Sequence, residues 1–310
     1  MKHILFILSI FFVSNSYSQK EYKIVTDDIA NFWNAYDLLA TAINRADSLS
    51  IIQSEYLDKA TEEFKVFIDI RNLEAKGYVD ALSKYPKFWK SVRPNTATIS
   101  ERKHEIREVF KKLEDELPDF EQPDICFALG YLKTGGTIAD DLILIGSEIA
   151  ASSDKTDKSE LTPWLQTIIG NTGDIVSMIA HETVHTQQRN KKKYTLITGA
   201  MSEGIADFIP QELLGLSINK ELYAYGYANE SSLREQFKKD LVANESDYSQ
   251  WLYNGNSSKD IPADMGYFIG HQIARAYYDS QTDKKKALKN LLNQKKYSKI
   301  LEESTYLKQH

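Results

Sequence analysis

The segment from Ile175 to Gln188 constrains this chain more than any other. Ile175, Val176, Met178, Ile179 and Ala180 make a helix apolar on most of its sides, yet the same run carries His181, Glu182 and His185. A helix of that kind is buried, and buried imidazoles and carboxylates need partners. The fold must therefore bring polar groups from elsewhere to this helix. At helical pitch His181 and His185 project from one face, one turn apart, where two neutral imidazoles can share one metal ion. Glu182 lies about 100° round from His181, placed to reach a water on that ion rather than the ion itself. Asn171-Thr172-Gly173-Asp174 offers the N-cap and an acidic first turn.

A catalytic zinc ion takes three protein ligands and leaves a fourth position open. The three-histidine continuation of His-Glu-x-x-His needs a histidine at position 191, where this chain has Lys191, so that form is excluded. The next acidic residue after Glu182 is Glu203, far enough on for a loop and the start of a second helix crossing the first. Asp207 stands one turn beyond Glu203 on the same face, placed to accept the second N–H of His181 and fix its tautomer. Glu182 is then the general base. For the oxyanion, the candidates lie in Asp264-Met265-Gly266-Tyr267-Phe268-Ile269-Gly270-His271. Ala263, Gly266, Gly270 and Ala274 form a small-residue ridge for close helix packing. Tyr267 and His271 share a flank of it, Tyr267 being preferred. The competing reading makes Tyr267 a core aromatic and His271 a satisfied, partly exposed histidine.

The remainder of the chain sets the frame. With 310 residues, 42% apolar, it can bury a real core. A net charge of -6 leaves no basic excess to displace counterions from phosphates, which argues against a nucleic-acid partner. Cys126 is the single cysteine, so neither an intrachain disulfide nor a thiolate zinc cluster is available. Lys2 and His3, the apolar run Ile4–Val13 and the small residues Ser14, Ser16 and Ser18 read as a signal peptide over 1–18, cut before Gln19. No cysteine flanks that cut, which speaks against a lipid anchor, and no later apolar run reaches membrane-spanning length. The mature chain is expected to be exported, periplasmic or secreted, without a membrane span.

From Thr26 to Leu117 the apolar spacing is helical. At Pro118–Pro123 the period changes. Asp124–Leu132 and Leu142–Ile145 read as strands joined by a Gly-containing loop over Lys133–Asp141, and helices resume from Leu161. The expectation is a predominantly helical α+β fold. Its lobes are a helical region over 19–120 and a second region over 121–310, or one continuous domain over 19–310.

His181-Glu182-Thr183-Val184-His185 followed by Glu203-Gly204-Ile205-Ala206-Asp207 resembles the gluzincin clan of zinc peptidases. More narrowly, the chain is similar to an exported predicted Zn-dependent protease family related to a gliding-motility lipoprotein of Bacteroidetes-type bacteria. The likeness extends over Phe32-Trp33, Gly135-Gly136-Thr137, the metal motifs and Gly266–Gly270. It implies a zincin-like core with a small β-sheet, Zn2+ held by His181, His185 and Glu203, and hydrolysis of peptide bonds in a peptide or protein substrate. By the same analogy the Leu142–Ile145 strand is an edge that binds extended substrate. Two other readings stay open: a non-catalytic envelope or interaction protein that keeps the fold, and a zinc hydrolase of non-peptide amides or esters.

Overall fold

The computed structural model describes residues 22–170, 174–255 and 261–308; the expected signal peptide and Asn171-Thr172-Gly173 lie outside them. The fold is α+β and predominantly helical, with one four-stranded sheet. Its strands are β1 (Ile24–Val25), β2 (Asp124–Ala128), β3 (Gly136–Ala139) and β4 (Leu142–Gly146), in spatial order β1-β2-β4-β3. β1, β2 and β4 run parallel, and β3 returns antiparallel along β4. Ile125, Cys126 and Phe127 on β2 and Ile143, Leu144 and Ile145 on β4 are all fully buried. Strands covered on both faces read as unbroken apolar runs, and these do.

This order corrects the sequence expectation. Leu142–Ile145 is an interior strand, paired on one side with β2 and on the other with β3. The sheet edge on this side is β3, within the stretch that reads as a glycine loop. The Asp124–Leu132 strand also stops early, because Tyr131 (φ 43°) and Leu132 (φ 69°) take left-handed conformations that no strand continues through.

That turn is held from inside. The Glu148 carboxylate, fully buried, accepts N–H bonds from Gly130 (3.0 Å) and Leu132 (2.6 Å). The phenols of Tyr56 and Tyr78 donate to the Leu129 carbonyl at 3.0 and 2.6 Å. The chain therefore leaves β2 along a fixed path and enters β3 at Gly136.

Three helices complete the frame. The Ile175–Gln187 helix packs on β3 and β4 and starts where Asp174 caps it, accepting from Val176 N (2.6 Å) and Ser177 N (3.0 Å). The Leu196–Leu214 helix crosses it, running through Pro210, where the proline signal reads as a stop or kink. The Met265–Ser280 helix packs against Leu196–Leu214 more extensively than any other helix does. Their crossing brings backbone to backbone: a Cβ on Gly270 would overlap the Ala200 carbonyl, and one on Gly204 would overlap His271 N. The small-residue ridge thus works through Gly270 on one helix and Gly204 on the other; Ala263 precedes the helix.

Candidate metal centre

Each donor reaches the centre from a different position on two crossing helices. His181 and His185 come from the Ile175–Gln187 helix, and Glu203 and Asp207 from one face of Leu196–Leu214. His185 Nε2 lies 3.0 Å from His181 Nε2 and 3.2 Å from Glu203 Oε2, and His181 Nε2 lies 3.5 Å from the same oxygen. Among the described residues these three form a group whose ligand atoms all lie within 4.8 Å of one another.

The hydrogen-bond network assigns the tautomers. His181 Nδ1 is 2.7 Å from Asp207 Oδ1, a carboxylate that can only accept, so Nδ1 carries the proton. Asp207 is itself fixed by the Tyr223 hydroxyl, which donates to Oδ2 at 2.6 Å. His185 Nδ1 is 3.2 Å from Gln188 Oε1. The Gln188 amide is oriented by Ser202, whose carbonyl accepts from Nε2 (2.7 Å) and whose hydroxyl donates to Oε1 (2.6 Å). As neutral imidazoles in these tautomers, the two Nε2 atoms would turn lone pairs toward each other and a carboxylate.

Three electron-rich atoms at such separations, in a buried pocket, need a positive charge between them. Donors about 2.0–2.1 Å from a tetrahedral zinc ion are about 3.3 Å apart, close to the spacings here, so the donor set fits zinc. The remaining Glu203 oxygen, Oε1, accepts from the Tyr253 hydroxyl at 2.8 Å, which leaves Oε2 as a single ligand atom. Tyr194 hydrogen-bonds Tyr253 in turn, at 2.8 Å.

With protein groups alone, the cluster already favours cations. Burial opposes protonation of His181, but the charge of Asp207 and hydrogen bonds to Asp207 and Glu203 lift it well above its ordinary value. Burial likewise disfavours charged His185, and Glu203 raises it. Burial pushes the Glu203 carboxyl up, and the two imidazoles pull it well below the usual carboxylate range. Glu182 differs. Burial raises it, the histidines only partly offset this, and no hydrogen-bond partner holds it among the described residues. Its carboxylate lies under Gly136, where a Cβ would meet Oε1.

Glu182, the ligand set and Tyr267 all line one cleft of about 890 Å3, walled by the Thr134–Ile138 stretch. The Tyr267 ring lies nearly parallel to that of His181, centroids 6.2 Å apart. His271 does not reach the cleft. One turn deeper along the helix, it is fully buried against Phe208 and Tyr223, and its Nε2 meets Gln211 Oε1 at 2.5 Å. Burial and the nearby Arg275 lower it to about 3, so it is a neutral core histidine rather than a partly exposed one.

Sequence reasoning missed Tyr253, Tyr194, Tyr223, Gln188 and Ser202. Gln188 could have been found, three residues past His185 at the end of the same helix. The tyrosines belong to a loop, the approach to the second helix and a later helix, and no spacing ties them to the motif.

A family model described as gliding motility protein GldB matches residues 37–308, which include every residue of this centre. The chain belongs to the GldB family. No curated protein and no solved structure matches it. The GldB model is that of a lipoprotein family of the bacterial envelope, and no helix among the described residues is long and apolar enough to cross a membrane.

Proposed function

We propose that this GldB-family protein is an exported zinc-dependent peptidase of gluzincin type with a zincin-like core. The observation that carries the reading is the convergence of two Nε2 atoms and one Glu203 oxygen beside a buried carboxylate, Glu182, that has no hydrogen-bond partner among the described residues. A purely structural metal site has no use for such a free base.

His181, His185 and Glu203 would hold the zinc ion, which would supply Lewis-acid polarisation of the scissile carbonyl and a more acidic water. Glu182 takes the proton of that water and returns it to the leaving amine. Its raised affinity for protons suits both halves of the task. Tyr267, whose phenol is kept neutral by burial and the Glu203 charge, is the donor toward the oxyanion. Asp207 and Gln188 hold the imidazoles in the ligating tautomer.

The strand register supplies a substrate rail. Gly146 N donates to Gly135 O at 3.0 Å, which makes Gly135–Gly146 a hydrogen-bonded pair of the antiparallel ladder. By alternation Gly136 and Ile138 turn their polar groups outward. Thr134 Oγ1 covers the Gly136 carbonyl (2.6 Å), leaving Gly136 N–H and both groups of Ile138 to pair with an extended peptide.

A second reading, favoured by the GldB family match, is an envelope protein of the motility apparatus that holds zinc without turnover. Metal analysis of the mature protein, beside Glu182→Gln in a peptide-library cleavage assay, separates the two. The peptidase reading expects the substitution to keep zinc and to abolish cleavage. Zinc without cleavage by the unaltered protein favours the second reading, and equal cleavage by both proteins eliminates Glu182 as the base.

A further inference from the structure

Arg71 stands out among the basic residues. It ends the Glu62–Arg71 helix, which is anchored by the fully buried Phe64 and Phe67. Asn72 (φ 48°) stops the helix there, and Arg71 lines the cleft. Its Nε is shut off from solvent with no hydrogen-bond partner, and no carboxylate meets it at ion-pair distance among the described residues, although its charge reaches Glu182 across the cleft and lowers that carboxyl. Arg93 grips Asp37 with two bonds, of 2.6 and 2.8 Å, and Arg102 meets Glu105 at 2.7 Å. Arg234 Nε is likewise buried without a hydrogen-bond partner, but its guanidinium lies 5.4 Å over the Tyr306 ring and does not line the cleft. Nor does Arg71 serve its own helix end, because it makes no bond to the last carbonyls.

The surroundings reinforce this. Lys133, Lys191 and Lys192 line the same cleft, also without a carboxylate partner among the described residues. Lys133 Nζ lies 5.4 Å from the Tyr131 ring centre. Among the described residues, the carboxylates in the lining are Glu203, engaged by the imidazoles and Tyr253, and Glu182. An acidic chain has thus gathered four cations around one cleft, none with an ion pair among the described residues. A second arm of about 540 Å3 shares His181, Glu182, Tyr267, Trp164 and Ile168 with the first; its further apolar wall is Met178, Leu222, Ile261 and Pro262, and Asn219, Glu221 and Asp264 line it as well. No lysine or arginine lines that arm among the described residues.

We propose that Arg71 is the centre of a carboxylate-binding subsite. It takes a peptide whose carboxylate, an acidic side chain or a free C-terminus, lies on the Arg71 side of the metal centre, with an apolar side chain in the other arm. A planar guanidinium matches a carboxylate with two parallel N–H bonds, which a lysine cannot reproduce. The subsite rests on the reading of the cleft as a peptide site, but not on turnover.

The test is fluorescence-polarisation binding of short labelled peptides to the zinc-loaded protein, as the natural sequence and as Glu182→Gln. Peptides are paired as Glu against Gln at each position, and as free against amidated C-terminus. The carboxylate member of at least one pair is expected to bind about 10-fold tighter or more. A Glu/Gln difference identifies a side chain, and an acid/amide difference a terminus. Arg71→Ala and Arg71→Gln should both erase the preference with zinc content unchanged, while Arg71→Lys keeps part of it. No difference between pair members, including no binding of either, overturns the subsite, as does a preference that survives Arg71→Gln. Carboxylate preference without cleavage by the natural sequence leaves the subsite standing and removes the peptidase reading. Cleavage without that preference does the reverse.

Discussion

Two buried glutamates in this molecule meet opposite fates. Glu148 and Glu203 are both shut away from solvent, and burial alone would keep both neutral. Glu148 is met by backbone N–H groups of Gly130 and Leu132 and by no cation, and it is pushed up to about 7. Glu203 is met by two imidazoles and a phenol and falls well below the carboxylate range. Partial dipoles only moderate the desolvation penalty, whereas positive charge reverses it. The first glutamate holds a loop and the second holds a charge. The same residue type therefore builds the wall of the cleft in one region and its chemistry in the other.

The largest expected effect comes from removing the charged partner. Glu203→Ala should lower zinc affinity about 1,000-fold, a step beyond the 10–100-fold typical of outer partners. Competition with a chelator of known affinity measures it. Native affinity in this variant would mean that Glu203 is a bystander and that the comparison with Glu148 has no functional content.

Glu148 should show itself in pH dependence instead. Its folded-state value lies above the ordinary 4.5, so as pH rises the unfolded chain ionises first. Stability from this group is full below about 4.5, falls as pH rises toward about 7 and is level above. The loss is at most roughly 3 kcal/mol. The neighbouring titratable groups, Tyr56 and Tyr78, are raised by burial and stay neutral throughout. Glu148→Gln resembles the protonated form, so the difference in unfolding free energy between the two proteins should vary over this window and nowhere else. A pH-independent difference would show that the backbone N–H groups hold Glu148 ionised.

How much of this was legible in the sequence depended on whether the information was local. The capped, apolar helix with His181 and His185, and the one-turn spacing of Glu203 and Asp207, are periodic signals, and the structure brings those four side chains together. Strand order is not periodic. Leu142–Ile145 reads as a strand whether it lies inside the sheet or at its edge, and Gly136–Ala139 reads as a loop because Gly135 and Gly136 hide a strand that exists only by pairing with β4. Depth is equally invisible. Tyr267 and His271 share a helix face, but the cleft ends between them. Tyr253 meets Glu203 from a loop fifty residues on, a contact fixed by tertiary packing alone.

The smallest effect probes how firmly each imidazole is held for the charge that Glu203 helps to bind. Asp207 is a carboxyl group 2.7 Å from His181 and braced by Tyr223; Gln188 is an amide 3.2 Å from His185. Charge-assisted hydrogen bonds are roughly twice as strong as neutral ones. Asp207→Ala should therefore weaken zinc binding by about 10–100-fold and Gln188→Ala by less than about 10-fold. The same chelator competition ranks them. Equal losses would mean that ring orientation matters and the partner's charge does not. A larger loss from Gln188→Ala would trace the effect to its grip on Ser202, whose hydroxyl and carbonyl tie the end of the histidine helix to the start of the glutamate helix.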